Sequence, residues 1–206
     1  MFIVLPGVLC VPSRKLRNKL KYRMAFVNKQ IHNSTTGQSY KFIQTAKSTN
    51  GEVLEMETAY DPHSKEPPAH YHPYQSEDFT IVSGEVTVRI GANENTLKQG
   101  DTLHVPPGDV HAMWNTSNEK AVVNWKVRPA LKTEYLLETI TGLANDGKTN
   151  ADGKPGILQA ALTLSKFSRE FRLSNPPLMV QRIVFSILTP FAYFFGCKPV
   201  YEKYLD

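Results

Sequence analysis

Hydrophobic and polar side chains alternate along much of the segment from residue 40 to residue 127, with the period of half-buried strands. The alternation is strict in residues 85–90, Glu-Val-Thr-Val-Arg-Ile, so one face of this strand should be buried and the other exposed to solvent. Shorter runs predict strands at 40–45, 52–60, 79–82, 102–105, 110–115 and 121–127. With about eight short strands separated by glycine, proline and asparagine turns, the pattern predicts an antiparallel sandwich or barrel.

The residue types between these strands predict several turns. Asn50-Gly51 is a strong hairpin signal, because both residues tolerate a positive φ. Ser83-Gly84 predicts a second tight hairpin between the strands on either side, and residues 91–94 predict a further turn. Prolines keep residues 61–69 out of helix, so this segment is predicted to be a loop.

After Pro129 the hydrophobic period changes to that of helices, which are predicted at 131–144, 157–171 and 178–195. Strands come first and helices follow, so the helices should form a cap or a flanking layer. We therefore expect a mainly β chain in three parts. These are a basic, disordered leader over residues 1–24, a barrel over 25–130 and a helical appendage over 131–206.

The net charge of +5 in this chain of 206 residues is concentrated at its start. Residues 1–24 hold six basic side chains and no acidic one, and removing these six from 24 leaves 18 basic against 19 acidic. The rest of the chain gives no reason to expect binding of nucleic acid. Within residues 1–24 the apolar run precedes the basic run, which is the reverse of the order in a secretory signal. The leader could instead be a basic tail that contacts anionic membrane, or an artefact of start-site choice with Met24 as the natural first residue.

Two cysteines, Cys10 and Cys197, do not make a disulfide framework. Their scarcity is consistent with a reducing compartment, so we expect a cytoplasmic protein.

Three histidines and one carboxylate predict a metal site. His70 and His72 are two residues apart, so on a strand both imidazoles point to the same face and reach one ion. Glu77 lies on the next strand, and His111 follows a rigid Pro-Pro-Gly turn. Nitrogen and oxygen ligands of this kind suit a divalent transition metal ion, which could be iron, manganese, nickel, copper or zinc.

The spacing of these residues resembles the two conserved motifs of the cupin superfamily. The first motif reads His70-x-His72, four residues, Glu77, six residues, Gly84. The second reads Gly100, five residues, Pro106-x-Gly108, two residues, His111, three residues, Asn115. The one departure is Ser64, which stands where the first motif usually has a loop-shaping glycine. The resemblance covers about residues 38–128.

This resemblance implies an antiparallel jelly-roll barrel with a metal near its mouth, held by His70, His72, Glu77 and His111. Gly84 and Gly100 would then be turn residues, and Asn115 a structural residue at a strand end. Cupins of this single-domain type are similar to quercetinase-like dioxygenases, sugar-phosphate isomerases and plain ligand-binding modules, and commonly form homodimers. The helical tail resembles that of a group of bacterial cupins.

Apolar side chains beside these ligands could line a substrate pocket. Alternation from Glu77 turns Phe79 and Ile81 inward, and alternation from His111 turns Met113 inward and Trp114 outward. Together with Trp125 they would favour an apolar or aromatic ligand over a sugar phosphate. The competing interpretation is that these side chains are ordinary barrel core.

The other histidines have simpler interpretations. His63 is interpreted as a loop residue, and His104 as a packed or hydrogen-bonded strand residue, with a role beside the metal as its alternative. His70 and His72 could themselves be surface residues of a proline-rich loop, Glu77 a solvated charge and His111 a buried core histidine.

The third predicted helix contains fourteen consecutive uncharged residues, 183–196, which is shorter than the about twenty residues that a bilayer span requires. Packing over the barrel or against a second subunit is the preferred interpretation, and contact with a membrane surface is the alternative.

The functional hypothesis is a divalent-metal cupin that acts on a small organic molecule, with oxygen-dependent oxidation as the expected reaction. Glu77 would be both a ligand and the catalytic base. The alternative is a non-catalytic module that binds or senses a small molecule.

Overall fold

A computed structural model describes residues 25–204 of the chain. The predicted basic leader, with Cys10, lies outside these residues. The described part consists of strands β1 to β11, helices α1 to α3 and a final 3₁₀ helix. The strands are β1 (Gln30–Asn33), β2 (Gln38–Gln44), β3 (Leu54–Tyr60), β4 (His70–Tyr71), β5 (Ser76–Ser83), β6 (Glu85–Ile90), β7 (Asn93–Lys98), β8 (Thr102–Val105), β9 (His111–Trp114), β10 (Ala121–Arg128) and β11 (Arg172–Leu173). The helices are α1 (Thr133–Asn145), α2 (Ile157–Lys166) and α3 (Leu178–Phe194), and the 3₁₀ helix is Glu202–Tyr204.

The described strands form two antiparallel sheets that face each other. The larger sheet has the order β1-β2-β3-β10-β5-β8, and the smaller one has the order β11-β4-β9-β6-β7. Alternate residues of both sheets meet between them, where Phe79, Ile81, Val88 and Met113 belong to one buried hydrophobic cluster. The predicted antiparallel jelly-roll barrel with a helical appendage is thereby confirmed.

A second buried cluster connects the larger sheet to the appendage. It includes Phe42, Leu54 and Met56 from the sheet, Ala130 from the connection and Leu137 from α1. This contact uses the apolar stripe of α1, whose spacing predicted the helix.

The predicted hairpin at Ser83-Gly84 is wrong. β5 pairs with β10 and β8, whereas β6 pairs with β7 and β9, so the chain crosses from one sheet to the other at Gly84. Gly84 has φ 70°, and a Cβ on it would lie 2.7 Å from the Lys120 carbonyl oxygen. Glycine is therefore required here by a close approach at the crossing, not by a two-residue turn.

The other turns follow the predictions more closely. β2 and β3 do pair, although residues 45–53 make their connection longer than the tight hairpin expected at Asn50-Gly51. The turn predicted near Gly91 does join β6 to β7, whose register begins at Ile90 and Asn93.

The appendage is not purely helical. α2 ends at Lys166, earlier than predicted, and residues 172–173 form β11, which pairs with His70 and Tyr71 of β4. The Ser174 N–H also donates to the Ala69 carbonyl oxygen at 3.0 Å. The appendage therefore extends the smaller sheet at the edge that carries His70.

Candidate metal centre

The structure brings His70, His72 and His111 together at one end of the barrel. His70 on β4 is the cross-strand partner of His111 on β9, and His72 follows β4 directly. One ligand nitrogen from each ring lies within 4.8 Å of the other two. Two ligand atoms that share an ion at about 2.1 Å are at most about 4.2 Å apart, so small shifts would let all three nitrogens reach one ion.

Backbone carbonyls orient all three imidazoles in the same way. Nδ1 of His70 donates to the Pro68 carbonyl oxygen at 2.8 Å, and Nδ1 of His111 donates to that of Asp109 at 3.0 Å. Nδ1 of His72 donates to the carbonyl oxygen of Glu170 at 2.5 Å. A carbonyl oxygen can only accept, so each Nδ1 carries the proton and a neutral ring keeps its lone pair on Nε2. The donor set therefore fits a metal ion bound through three Nε2 atoms.

Glu77 lies against two of these histidines without joining the cluster of three mutually close nitrogens. Its side chain is 1% exposed, and its carboxylate oxygens lie 3.2 Å from Nε2 of His72 and 2.8 Å from Nε2 of His111. The indole Nε1 of Trp125 donates to Glu77 Oε1 at 3.1 Å. A buried carboxylate between two imidazole nitrogens is positioned to be a further ligand.

The electrostatics of the site follow from burial and from this contact. Burial, followed by the proximity of His111 and His72, holds the pKa of His70 well below its usual value. Burial alone would raise the pKa of Glu77, but His72, His111 and the Trp125 indole outweigh it and lower that pKa. Burial likewise opposes protonation of His111, but Glu77 outweighs it and raises the His111 pKa. The site thus consists of an ionised Glu77 carboxylate that faces Nε2 of His72 and Nε2 of His111, together with a neutral His70.

The appendage supplies two groups that the sequence analysis missed. Glu170 contributes the carbonyl that fixes His72, and the Phe171 ring stacks on His70 with centroids 4.4 Å apart and an interplanar angle of 20°. Both residues follow α2, about a hundred positions from the histidines they contact, and the cupin motifs end long before them. No feature of the sequence marked them.

The predicted pocket residues belong to the hydrophobic core of the barrel or pack against it. Phe79, Ile81 and Met113 are buried in the core cluster, and Trp125 packs against it with its indole stacked on Phe79 at 5.7 Å. Their contact with a ligand stays a prediction. Trp114, predicted to point outward, is also buried, because the guanidinium of Arg89 covers its ring at 5.0 Å.

The remaining motif residues and histidines have structural contacts. Asn115 is fully buried, donating to the carbonyls of Tyr60 and Glu119, and its backbone N–H donates to Ser64 Oγ at 2.9 Å. Ser64 therefore supplies an acceptor at the position where a glycine was expected. His104 pairs with Asp78 at 2.7 Å and His63 with Asn118 at 2.9 Å, and neither belongs to the histidine cluster.

Two facing antiparallel sheets with a histidine cluster at one end define a β-barrel with a candidate metal site. The family model described as the cupin domain matches residues 56–126, a segment that contains His70, His72, Glu77 and His111. This match identifies the barrel segment of the chain as a cupin domain.

Curated relatives match the barrel at low identity. An oxidoreductase of Arthrobotrys oligospora is 29% identical over 115 residues, which are 54% of this chain and 44% of that protein. Quercetin 2,3-dioxygenase of Bacillus subtilis is 31% identical over 78 residues, which are 38% of this chain and 23% of that protein. The chain thus spans less than half the length of both relatives.

Solved structures also resemble the barrel. A conserved protein with a double-stranded β-helix domain from Klebsiella pneumoniae has a TM-score of 0.43 and 22% identity, covering 53% of this chain and 92% of its own. A predicted oxalate decarboxylase of Thermotoga maritima has a TM-score of 0.44 and 19% identity, covering 49% of this chain and 90% of its own.

Proposed function

We propose that this cupin binds one divalent transition metal ion and oxidises a small apolar or aromatic molecule with dioxygen. The observation that carries the metal site is the common orientation of His70, His72 and His111, whose three Nδ1 atoms all donate to backbone carbonyls. An ion held by these histidines and Glu77 would supply Lewis acidity and open coordination positions for substrate and dioxygen. Its identity would be iron, manganese, nickel, copper or zinc.

In this proposal Glu77 has a second role as the general base. The Trp125 indole fixes Oε1, and the carboxylate is held ionised by its neighbours, so Oε2 can take a proton from an acidic substrate hydroxyl. The low pKa of Glu77 limits this role to substrates whose hydroxyl is itself acidic, such as enols and phenols.

The walls of the site favour an apolar substrate. The Phe171 ring on His70 excludes water from one side, and Trp125, which donates to Glu77, stacks on Phe79 of the apolar core. An aromatic substrate would find stacking partners there and few groups to bind a phosphate. The oxidoreductase and quercetin 2,3-dioxygenase relatives support oxidation as the reaction class.

Metal analysis tests the first part of the proposal. The wild-type protein, purified without added metal and then loaded, should hold about one ion per chain by mass spectrometry. A His70→Ala, His72→Ala double variant should lose it, whereas His104→Ala, which removes an exposed histidine outside the cluster, should not. Equal metal content in all three proteins would refute the site.

Oxygen uptake tests the second part. The metal-loaded protein, presented with flavonols, catechols and diketones, should consume oxygen with at least one class, and the double variant should not.

A non-catalytic binding module is the second candidate. It is favoured by Phe171, whose ring already covers one face of His70 beside the proposed metal position. Full metal occupancy with no oxygen uptake across the panel, combined with tight binding of an aromatic ligand, would support this candidate over the oxidase.

A further inference from the structure

A stripe of large apolar side chains runs along the exposed side of α3. Met179, Ile183, Ile187, Phe191 and Phe194 have exposed fractions of 64%, 58%, 60%, 55% and 82%. The first four recur every four residues, so they line one side of the helix, with Phe194 beside them. Such a continuous exposed apolar surface is unusual on a soluble monomer and marks an interaction site. We refer to these five residues as the α3 stripe.

The opposite side of α3 accounts for its packing within the chain. Gln181 and Ala192 are buried, and Gln181 Nε2 donates to the carbonyl oxygens of Leu173 and Pro176. α3 rests against α2 on this side. Contacts within residues 25–204 therefore leave the α3 stripe uncovered.

The polar groups of α3 are disposed as in helices at a lipid surface. Arg182 and Tyr193 lie along one edge of the stripe by helical geometry, where a long cationic side chain and a phenol can reach the headgroup layer. The hydroxyls of Ser186 and Thr189 each donate to the carbonyl oxygen four residues earlier, at 2.7 Å. Their donors are thus satisfied within the helix, so neither requires water.

Charge distinguishes a lipid surface from a second copy of the chain. Arg182 is the one charged residue of α3, which contains no acidic side chain, whereas Lys198 beyond the helix already pairs with Glu202 at 3.0 Å. A symmetric dimer through the stripe would offer Arg182 no acidic partner on the α3 of the second copy, whereas anionic lipid headgroups complement its charge.

We propose that α3 lies flat on an anionic lipid surface. The α3 stripe would be buried at the boundary between headgroups and acyl chains, and Arg182 would lie among the headgroups. No helix within residues 25–204 is long and apolar enough to cross a membrane, so the expected geometry is a helix in the interface plane.

Vesicle co-sedimentation of the full chain tests this inference. The wild type should pellet with phosphatidylcholine vesicles that contain phosphatidylserine, far less with phosphatidylcholine alone, and less at high salt. An Ile183→Gln, Ile187→Gln double variant should bind these vesicles at least roughly tenfold more weakly than the wild type. The matched control, Ile157→Gln with Val82→Gln, makes the same change at two exposed apolar positions outside α3 and should bind like the wild type.

Circular dichroism and bound metal should be unchanged in both double variants, because all four side chains are exposed. Arg182→Glu, which keeps the α3 stripe, should reduce binding to the vesicles that contain phosphatidylserine and leave binding to phosphatidylcholine vesicles unchanged. Three results would overturn the inference. They are absence of wild-type binding, equal binding by the Ile183→Gln, Ile187→Gln variant, and a wild-type dimer in solution that this variant loses without any vesicle binding.

Discussion

His72 donates its Nδ1 hydrogen to the backbone carbonyl of Glu170, a residue 98 positions further along the chain. The bond joins a predicted metal ligand of the barrel to the segment between α2 and β11. It fixes the tautomer of His72 and, in return, fixes where the appendage crosses the end of the barrel. Phe171, the next residue, stacks on His70, so the same short segment touches two of the three histidines.

Removal of the metal should therefore loosen this segment. Without a bound ion the His72 ring is free to rotate, which weakens its bond to the Glu170 carbonyl and the pairing of β11 with β4 beside it. Hydrogen-exchange mass spectrometry should show faster exchange in residues 168–176 after chelation, and slow exchange again when metal is restored.

The variant His72→Ala is the control for this coupling. Its 168–176 peptide should exchange fast whether or not metal is added, while peptides from β3 and β10 stay protected. Exchange in 168–176 that is equally slow in the loaded and chelated wild type would show that metal and appendage are independent.

Trp125→Phe should weaken metal binding with little effect on packing. The change removes the Nε1 donor to Glu77 Oε1 but keeps an aromatic ring stacked on Phe79. Loss of a partner that orients a ligand typically costs about 10- to 100-fold in metal affinity. Competitive titration with a chelating dye measures this change, and thermal melting monitors the fold.

Trp114→Phe is the matched control for this substitution. Trp114 is buried, whereas Trp125 is half-buried, and the Trp114 ring lies under the Arg89 guanidinium and not against Glu77. Its variant should bind metal like the wild type. Equal losses of affinity in the two variants would mean that the hydrogen bond to Glu77 is not responsible.

Glu134 on α1 should make the protein less stable as the pH rises toward neutrality. Burial raises its pKa to about 7, with Glu138 adding to the effect, although the Ala46 N–H that it accepts acts in the opposite direction. Folding therefore favours the protonated acid. This contribution is complete below the unfolded pKa and is lost as the pH rises through about 7, because the native state then holds the extra proton less often.

The variant Glu134→Gln isolates this effect, since its amide is neutral at every pH and its oxygen can still accept from Ala46. The free energy of unfolding of the variant, relative to that of the wild type, should rise by on the order of 1–3 kcal/mol between pH 5 and pH 8. Urea denaturation at both pH values measures it. Glu57→Gln, at an exposed position, should show no such trend, and a pH-independent difference for Glu134→Gln would contradict the prediction.

Local patterns predicted the elements and the histidine pair that depend on local geometry. The strict alternation in residues 85–90 marked β6, and the spacing of His70 and His72 placed both rings in one site. β7 was missed because its residues, Asn-Glu-Asn-Thr-Leu-Lys, are mostly exposed and carry no hydrophobic period.

Contacts between distant segments left no trace in the sequence pattern. β11 has two residues, and its place in the smaller sheet depends on His70 and Tyr71, which precede it by about a hundred positions. The roles of Glu170 and Phe171 depend on that pairing. For the same reason, residue types alone could not distinguish a hairpin at Ser83-Gly84 from a crossing, because both require a glycine with positive φ and only the strand partners differ.

Gly84→Ala should consequently destabilise the barrel more than an ordinary glycine substitution does. The added Cβ would lie 2.7 Å from the Lys120 carbonyl oxygen and 2.9 Å from the Ala121 Cα, and both are backbone atoms at the start of β10 or directly before it. Since backbone atoms cannot move aside without disturbing the strand, we expect a loss of about 2–4 kcal/mol in the free energy of unfolding, measured by urea denaturation.

Gly91→Ala is the control that separates this clash from backbone strain. Gly91 also has a positive φ, 57°, but no other part of residues 25–204 comes within 4 Å of the position of the added methyl group. That variant should lose only about 1 kcal/mol. Equal losses at the two glycines would mean that strain alone, and not the close approach of β10, requires glycine at the crossing.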